Sequence, residues 1–169
     1  MADTEVQERK IVVAIDEGKE SIYALTWATK NVVSQNSNDT IILLYAKPPL
    51  KVYSTLDGSG YLFSSEVMVS MEKYSKDVAD CVMEKAKRVC KDLQNVKVEA
   101  RIEKGDAKDV ICEAVEKIGA DLLVMGTHGY GMLKRAFLGS VSTHCAQNVK
   151  CPVLIVKKPK SSNGGNKSS

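Results

Sequence analysis

The chain has 169 residues, of which 44% are hydrophobic and 27% charged, as is usual for one soluble globular domain. Its net charge is +3, but four lysines and no acid follow Val156, so the rest of the chain is about neutral. A positive charge carried by a tail is only weak evidence for nucleic-acid binding, so we expect no nucleic-acid partner, and no apolar run approaches the ~20 residues of a membrane span.

The N-terminus and the cysteines bear on cellular location. Asp3 and Glu5 stand where a signal peptide has basic residues. Cys81 and Cys90 are nine positions apart in a predicted helix, so they should point to opposite faces. The cysteines form no C-x-x-C pair and are odd in number: Cys81, Cys90, Cys112, Cys145 and Cys151. Reduced thiols are typical of the cytosol, so we expect a cytoplasmic protein, with the nucleus as the alternative.

Apolar runs typical of strands alternate along the chain with amphipathic runs typical of helices. In chain order the patterns predict a strand at 10–15, a helix at 19–33, a strand at 41–45, a helix at 66–93, a strand at 96–102, a helix at 106–118, a strand at 122–125, a helix at 140–148 and a strand at 152–157. Residues 47–65 are predicted to form a long loop, and a loop of this length is either a binding loop or a mobile connection.

We expect one domain at 10–158, a flexible N-terminus at 1–9 and a disordered tail at 159–169.

The second helix is the longest, and its apolar residues recur at helical spacing. This spacing predicts that they belong to the core, whose members on this helix would be Val67, Met71, Tyr74, Val78, Val82, Val89 and Leu93.

The alternation of strands and helices predicts an α/β fold, an open five-stranded parallel sheet with helices on both faces, similar to a Rossmann fold. The first, second and fourth strands are apolar throughout, which is typical of central strands, whereas the third alternates and suits an edge. The order 3-2-1-4-5 satisfies these conditions. It brings Asp16 and Gly126, which follow the first and fourth strands, to one crevice at the topological switch point.

The array Gly126-x2-Gly129-x9-Gly139-Ser140 says most about function. Glycines allow a sharp turn and the close approach of a ligand, and Ser140 suits the first turn of a helix, which favours an anion. The Walker motif G-x-x-x-x-G-K-S/T is absent and the dinucleotide fingerprint fails. The pattern predicts a phosphate-binding loop for a nucleotide, with an ordinary turn-rich loop as the alternative.

The same array, the sequence IVVAID at 11–16 and the sequence CPVLIV at 151–156 resemble the universal stress protein family. The resemblance covers about residues 10–158, and the glycine–serine pattern is similar to that of the family's ATP-binding branch. The long loop and short tail look like those of small single-domain plant members. The resemblance implies a stress-response regulator that binds ATP or AMP, with Mg²⁺ beside ATP, and acts as a dimeric nucleotide-dependent switch.

The resemblance also assigns individual residues. It matches Asp16 with an acid that hydrogen-bonds the ribose, and Ala46 with a residue whose main chain reads the adenine edge. It places Met125 and Gly126 against the adenine and ribose. The positions that match phosphate-binding residues are Gly129, Gly139, Ser140 and Val141.

One departure from the family lies after the first strand. Where the family often has Asp-x-Ser, this chain has Asp16-Glu17-Gly18, and Glu20 follows. The extra negative charge beside Asp16 could alter the nucleotide preference.

Catalysis has little support in the sequence. His128 lies inside the glycine array, where a lone histidine is more often a hydrogen-bonding or solvent-facing residue than a catalytic one. No paired carboxylates, nucleophile–base couple or metal-ligand cluster stands out. Slow ATP hydrolysis remains one alternative, and a redox-linked chaperone or interaction module is another.

The fifth strand predicts an interface. It is apolar and begins at Pro152, which suits the first residue of an edge strand. An apolar edge invites aggregation unless something covers it. This argument and the family resemblance both predict a homodimer through the strand from Pro152 to Val156.

Overall fold

The computed structural model describes residues 8–34, 38–50, 65–129 and 138–160. Most of the predicted 47–65 loop, residues 130–137 within the glycine array, and the predicted tail from 161 onward lie outside these ranges. The same holds for residues 1–7 of the predicted flexible N-terminus.

Every predicted strand and helix is present, with ends shifted by a few residues. The strands are β1 (Lys10–Ile15), β2 (Thr40–Lys47), β3 (Lys97–Lys104), β4 (Leu122–Gly126) and β5 (Val153–Val156). The helices are α1 (Lys19–Asn31), α2 (Ser65–Cys90), α3 (Ala107–Ile118) and α4 (Ser140–Asn148). β2 is longer than predicted because it pairs with β3 as far as Lys47, which places Ala46 inside the strand.

The five strands form one parallel sheet in the order β3-β2-β1-β4-β5, which confirms the predicted order. β1 lies at the centre, where Val13 is paired with Leu43 of β2 and with Val124 of β4. Because the carboxyl ends of parallel strands meet at one edge of the sheet, the residues that follow β1 and β4 are neighbours there.

Helices cover both faces of the sheet. The side chains of Ile11 and Val13 pack against α1 and α2, whereas Val12 packs against α3 and α4. A central strand that is buried on both faces needs apolar residues at successive positions. The continuous apolar runs of β1, β2 and β4 therefore reflect two separate cores.

The prediction that the whole apolar stripe of α2 is core was wrong at its N-terminal end. Val67 is 42% exposed and Tyr74 is 72% exposed, whereas Val82 and Met83 are buried. α2 has 26 residues and so is about 39 Å long, but the neighbouring eight-residue β2 is only about 26 Å long. The first turns of α2 therefore extend beyond the carboxyl end of the sheet.

The two edges of the sheet differ in character. On β3, Lys97 pairs with Glu99 at 2.9 Å, and Arg101 lies 3.7 Å from the same carboxylate. Ile102, one of the apolar residues of this alternating strand, is 42% exposed. β5 at the opposite edge has the sequence VLIV and no charged residue. Charges protect a free strand edge against pairing, and β3 has them while β5 does not.

The chain just before β1 is fixed by an ion pair. The Arg9 guanidinium donates to both carboxylate oxygens of Asp39, at 2.9 and 2.6 Å, and its Nη2 also donates to the Val32 carbonyl. The bond to Asp39 raises the pKa of Arg9. Arg9, predicted to be the last residue of a flexible segment, therefore ties β1 to the end of α1.

Among the helices of the described ranges, none combines the length and the apolar character needed to cross a membrane.

Candidate functional site

A cleft lies beyond the carboxyl ends of β1 and β4. It encloses about 530 Å³ when the open space at its mouth is included. The sequence-predicted residues that line it are Asp16, Ala46, Met125, Gly126, Gly129 and Val141. Of the other two predicted residues, Gly139 is buried against Thr127 and His128, and Ser140 is exposed at the start of α4.

The inner walls of the cleft are apolar. Leu44 and Ala46 come from β2, Met125 comes from β4, and Ala107 and Ile111 come from α3. Sequence reasoning did not find the contribution of α3, because only the packing of this helix against β2 brings its first turns to the cleft. Such a slot suits a flat, largely apolar ring.

Asp16 is held by the turn that connects β1 to α1. Its Oδ1 accepts a hydrogen bond from the N–H of Gly18 at 2.8 Å, which is the Asx-turn arrangement. Its own N–H donates to Oγ of Ser21 at 3.1 Å. Both ends of Asp16 are therefore fixed, and its carboxylate has a defined direction at the mouth of the cleft.

Gly129 approaches Asp16 from the other side. A Cβ atom added to Gly129 would lie 3.3 Å from Oδ2 of Asp16, so a larger residue would press on the carboxylate. The first and fourth strands thus bring their following residues together, as predicted from the strand order.

The two described ends of the glycine array are joined by a hydrogen bond. The N–H of Gly139 donates to the Thr127 carbonyl at 2.7 Å. A Cβ on Gly139 would lie 3.2 Å from that oxygen and 3.3 Å from Cα of His128. Gly139 was predicted as a phosphate-binding position, but its N–H is directed to Thr127. Its contribution is the close approach of the two chain segments.

The N-terminus of α4 supplies backbone donors. The first hydrogen bond between residues i and i−4 runs from the N–H of Thr143 to the Gly139 carbonyl at 3.0 Å. The N–H groups of Ser140 and Val141 come before this bond and therefore have no acceptor within the helix. Oγ of Ser142 lies 2.8 Å from the Thr127 carbonyl and 3.0 Å from that of Gly139. Ser142 fixes the start of the helix, and the dipole there favours an anion.

Glu20, in the first turn of α1, also contacts the array, which sequence reasoning did not predict. Its Oε2 accepts from the Thr127 hydroxyl at 2.9 Å and from the N–H of His128 at 3.0 Å. Nδ1 of His128 lies 3.1 Å from the Thr127 hydroxyl oxygen and 3.6 Å from Oε2 of Glu20. His128 is therefore a hydrogen-bonding loop residue, which is the interpretation that the sequence favoured.

Glu17 is directed elsewhere. It accepts a hydrogen bond from the Tyr45 hydroxyl at 2.6 Å, and burial together with this bond raises the pKa of Tyr45. Both residues line a larger groove beside the first turns of α2, which encloses about 1240 Å³ when the open space at its mouth is included. That groove is wide and mainly apolar, whereas the polar side chains and the backbone donors converge on the cleft.

No group of three or more histidine, cysteine or acidic side chains that could hold a metal ion occurs within the described ranges. This part of the chain therefore offers no preformed metal site.

A family model described as the universal stress protein family matches residues 8–157. The chain belongs to the universal stress protein family. A universal stress protein A-like protein of Arabidopsis thaliana is 31% identical over 135 residues, which are 80% of this chain and 77% of that protein. The universal stress protein YxiE of Bacillus subtilis is 31% identical over 152 residues, 88% of this chain and 98% of its own.

Solved structures of other universal stress proteins share this fold. One, a family member from Arabidopsis thaliana with AMP bound, has a TM-score of 0.65 and 26% identity, covering 94% of this chain and 97% of that one. The universal stress protein UspA from Lactobacillus plantarum has a TM-score of 0.66 at 21% identity, covering 88% of this chain and 97% of its own. The predicted family and fold are confirmed.

Proposed function

We propose that this universal stress protein binds an adenine nucleotide, ATP or AMP, in the cleft beyond β1 and β4. The observation that carries the proposal is the pair of described ends of the glycine array, which are joined by the bond from Gly139 to Thr127, with Gly129 against the fixed carboxylate of Asp16. The N-terminus of α4 follows directly on the second of these ends. An acid for a ribose, an apolar slot for a base and backbone donors for phosphate thus share one cleft.

Each part of the nucleotide has a matching surface. The adenine ring would lie in the apolar slot, which Ala46 and Met125 both line. Asp16 would accept hydrogen bonds from the ribose hydroxyls. The phosphates would bind near Gly129, at the N–H groups of Ser140 and Val141, where the helix dipole favours negative charge.

The relative from Arabidopsis thaliana that was solved with AMP bound supports the same class of ligand. If ATP binds together with Mg²⁺, the ion would be held mainly by phosphate oxygens and water. That mode is usual for Mg²⁺ and does not require a protein cage.

We propose further that the protein works as a nucleotide-dependent homodimer. The cleft is built from segments of β1, β2, β4, α3 and α4, so a bound nucleotide stabilises one arrangement of these segments over others. The apolar edge of β5 is continuous with β4 and offers a surface for a second copy. Binding in the cleft and contact through β5 would then be coupled through the sheet.

The experiment that tests the function is direct. Freshly purified protein is denatured and the released nucleotide is identified by chromatography, and binding of ATP and AMP is then measured by calorimetry. Gly129→Ala should weaken binding about tenfold or more, because the added Cβ presses on the Asp16 carboxylate, and this corresponds to about 1.4 kcal/mol.

Thr143→Ala is the matched control, since Thr143 is an exposed residue of α4 that does not line the cleft. It should bind like the unchanged protein. Absence of both released nucleotide and calorimetric binding would overturn the proposed function.

A further inference from the structure

Glu20 joins α1 to the glycine array, although the two are far apart in sequence. Glu20 and Thr127 are separated by 107 positions, and a single carboxylate oxygen of Glu20 accepts from both the Thr127 hydroxyl and the His128 N–H. Hydrogen bonds to an ionised acceptor are stronger than those between neutral groups. The side chain of Glu20 is one-quarter exposed, so solvent screens this contact only in part.

These bonds act on the residues that hold the rest of the array. Glu20 fixes Thr127, and the carbonyl of Thr127 in turn accepts from the N–H of Gly139 and lies 2.8 Å from Oγ of Ser142. Gly139 and Ser142 set the position of the first turn of α4. A short chain of hydrogen bonds therefore connects Glu20 to the backbone donors proposed to bind phosphate.

The same contact places a negative charge against the N–H of His128, one residue before Gly129, near which the phosphates are proposed to bind. Asp16 adds a second carboxylate there, and no lysine or arginine lines the cleft among the residues that the structure describes. Lys134 and Arg135 lie outside the described residues. In the absence of Mg²⁺ each further phosphate of a nucleotide adds negative charge, so repulsion by Glu20 grows from AMP to ATP.

We propose that Glu20 is a positioning residue for the glycine array and that its charge shifts the nucleotide preference from the triphosphate toward the monophosphate. This inference rests on the proposed function. The hydrogen bonds of Glu20 support binding of every adenine nucleotide, while its charge acts against those with longer phosphate chains.

Two variants at this position separate the two effects. Glu20→Gln keeps an oxygen that can accept from Thr127 and His128 but removes the charge. It should bind ATP about three- to tenfold more tightly than the unchanged protein and AMP within about twofold. Glu20→Ala removes charge and hydrogen bonds together, and it should weaken binding of AMP at least about fivefold.

Two further variants serve as controls. Glu17→Gln removes a charge from the same turn, but Glu17 is bonded to Tyr45 and lines the groove beside α2, whereas Glu20 is bonded to the array, so the ratio of the ATP and AMP affinities should stay within about twofold. Thr127→Val removes the hydroxyl that Glu20 holds and keeps its charge, so both affinities should fall without a change in that ratio.

The affinities of all four variants for ATP and AMP are measured by calorimetry in the absence of Mg²⁺, and thermal unfolding confirms that each variant is folded. If the unchanged protein binds neither nucleotide, the proposed function fails. If it binds them and Glu20→Gln leaves the ratio of the affinities unchanged, the role of the charge is overturned. A Glu20→Ala variant that binds AMP like the unchanged protein overturns the positioning role.

Discussion

The glycines of the cleft serve three different contacts. A Cβ on Gly126 would lie 3.1 Å from the carbonyl carbon of Glu20, so its absence lets α1 pack against the end of β4. Gly129 makes room for the Asp16 carboxylate, and Gly139 makes room for the chain at Thr127 and His128. The motif that predicts a phosphate site therefore also has a role in packing, because each glycine leaves room for a different neighbouring segment.

Two buried thiols are expected to make the folded state less stable as the pH rises into the alkaline range. Burial raises the pKa of Cys90 to about 11, and burial together with the neighbouring Cys112 raises that of Cys145 to about 12. A raised pKa in the folded state means that the unfolded chain loses its proton first as the pH rises. The contribution of Cys145 is therefore complete below about pH 9 and is lost between about pH 9 and pH 12.

The expected result is that Cys145→Ala reduces the fall in stability between pH 8 and pH 10.5. Urea unfolding at several pH values measures this, and Cys81→Ala, at an exposed position of α2, is the control. If the stability of Cys145→Ala falls with pH as steeply as that of the unchanged protein, the thiol is not the source of the dependence.

α2 contains two parts with different energetic roles. Its C-terminal half buries Ala79, Val82, Met83, Ala86 and Cys90 against the sheet. Its first turns, with Val69 68% exposed, extend past the strands and border the groove that Pro48 and Leu50 also line. Stability should therefore depend on the second half of the helix.

Substitutions in the two halves of α2 test this division. Met83→Ala should lower the free energy of unfolding by about 2–5 kcal/mol, because it leaves a cavity where the side chain is 3% exposed. Val69→Ala should change it by less than about 0.5 kcal/mol. Chemical denaturation of both variants measures the difference, and equal losses would show that the first turns pack as tightly as the rest.

The sheet as a whole has one protected edge and one apolar edge. Ion pairs run along β3, whereas β5 presents the partly buried side chains of Val153, Leu154 and Ile155. A strand edge of this kind favours pairing with another strand. The proposed homodimer uses this edge.

Leu154→Lys should convert the dimer to a monomer, because it places a charge in the proposed interface. Ile102→Lys is the matched control: it puts the same charge on an exposed position of the opposite edge strand and should leave the dimer intact. Sedimentation or light scattering gives the mass of each variant. A Leu154→Lys variant that remains dimeric contradicts the proposed interface.

Local patterns in the sequence determined the secondary structure and the strand order. Uninterrupted apolar runs mark β1, β2 and β4 as buried on both faces, and the alternation in β3 marks an edge, because burial on one or two faces leaves a different period in the sequence. The strand order then placed Asp16 and Gly126 at one cleft. The role of each residue in nucleotide binding stays a prediction.

Tertiary structure alone decided the contacts between distant segments. The bonds of Glu20 to Thr127 and His128 depend on how α1 packs against β4, and the exposure of Tyr74 depends on the length of α2 relative to β2. A residue pattern records which face of an element is buried, but not which side chain from another element arrives there. The array from Gly126 to Ser140 could thus be identified from the sequence, whereas its contact with Glu20 follows from the packing of the helices on the sheet.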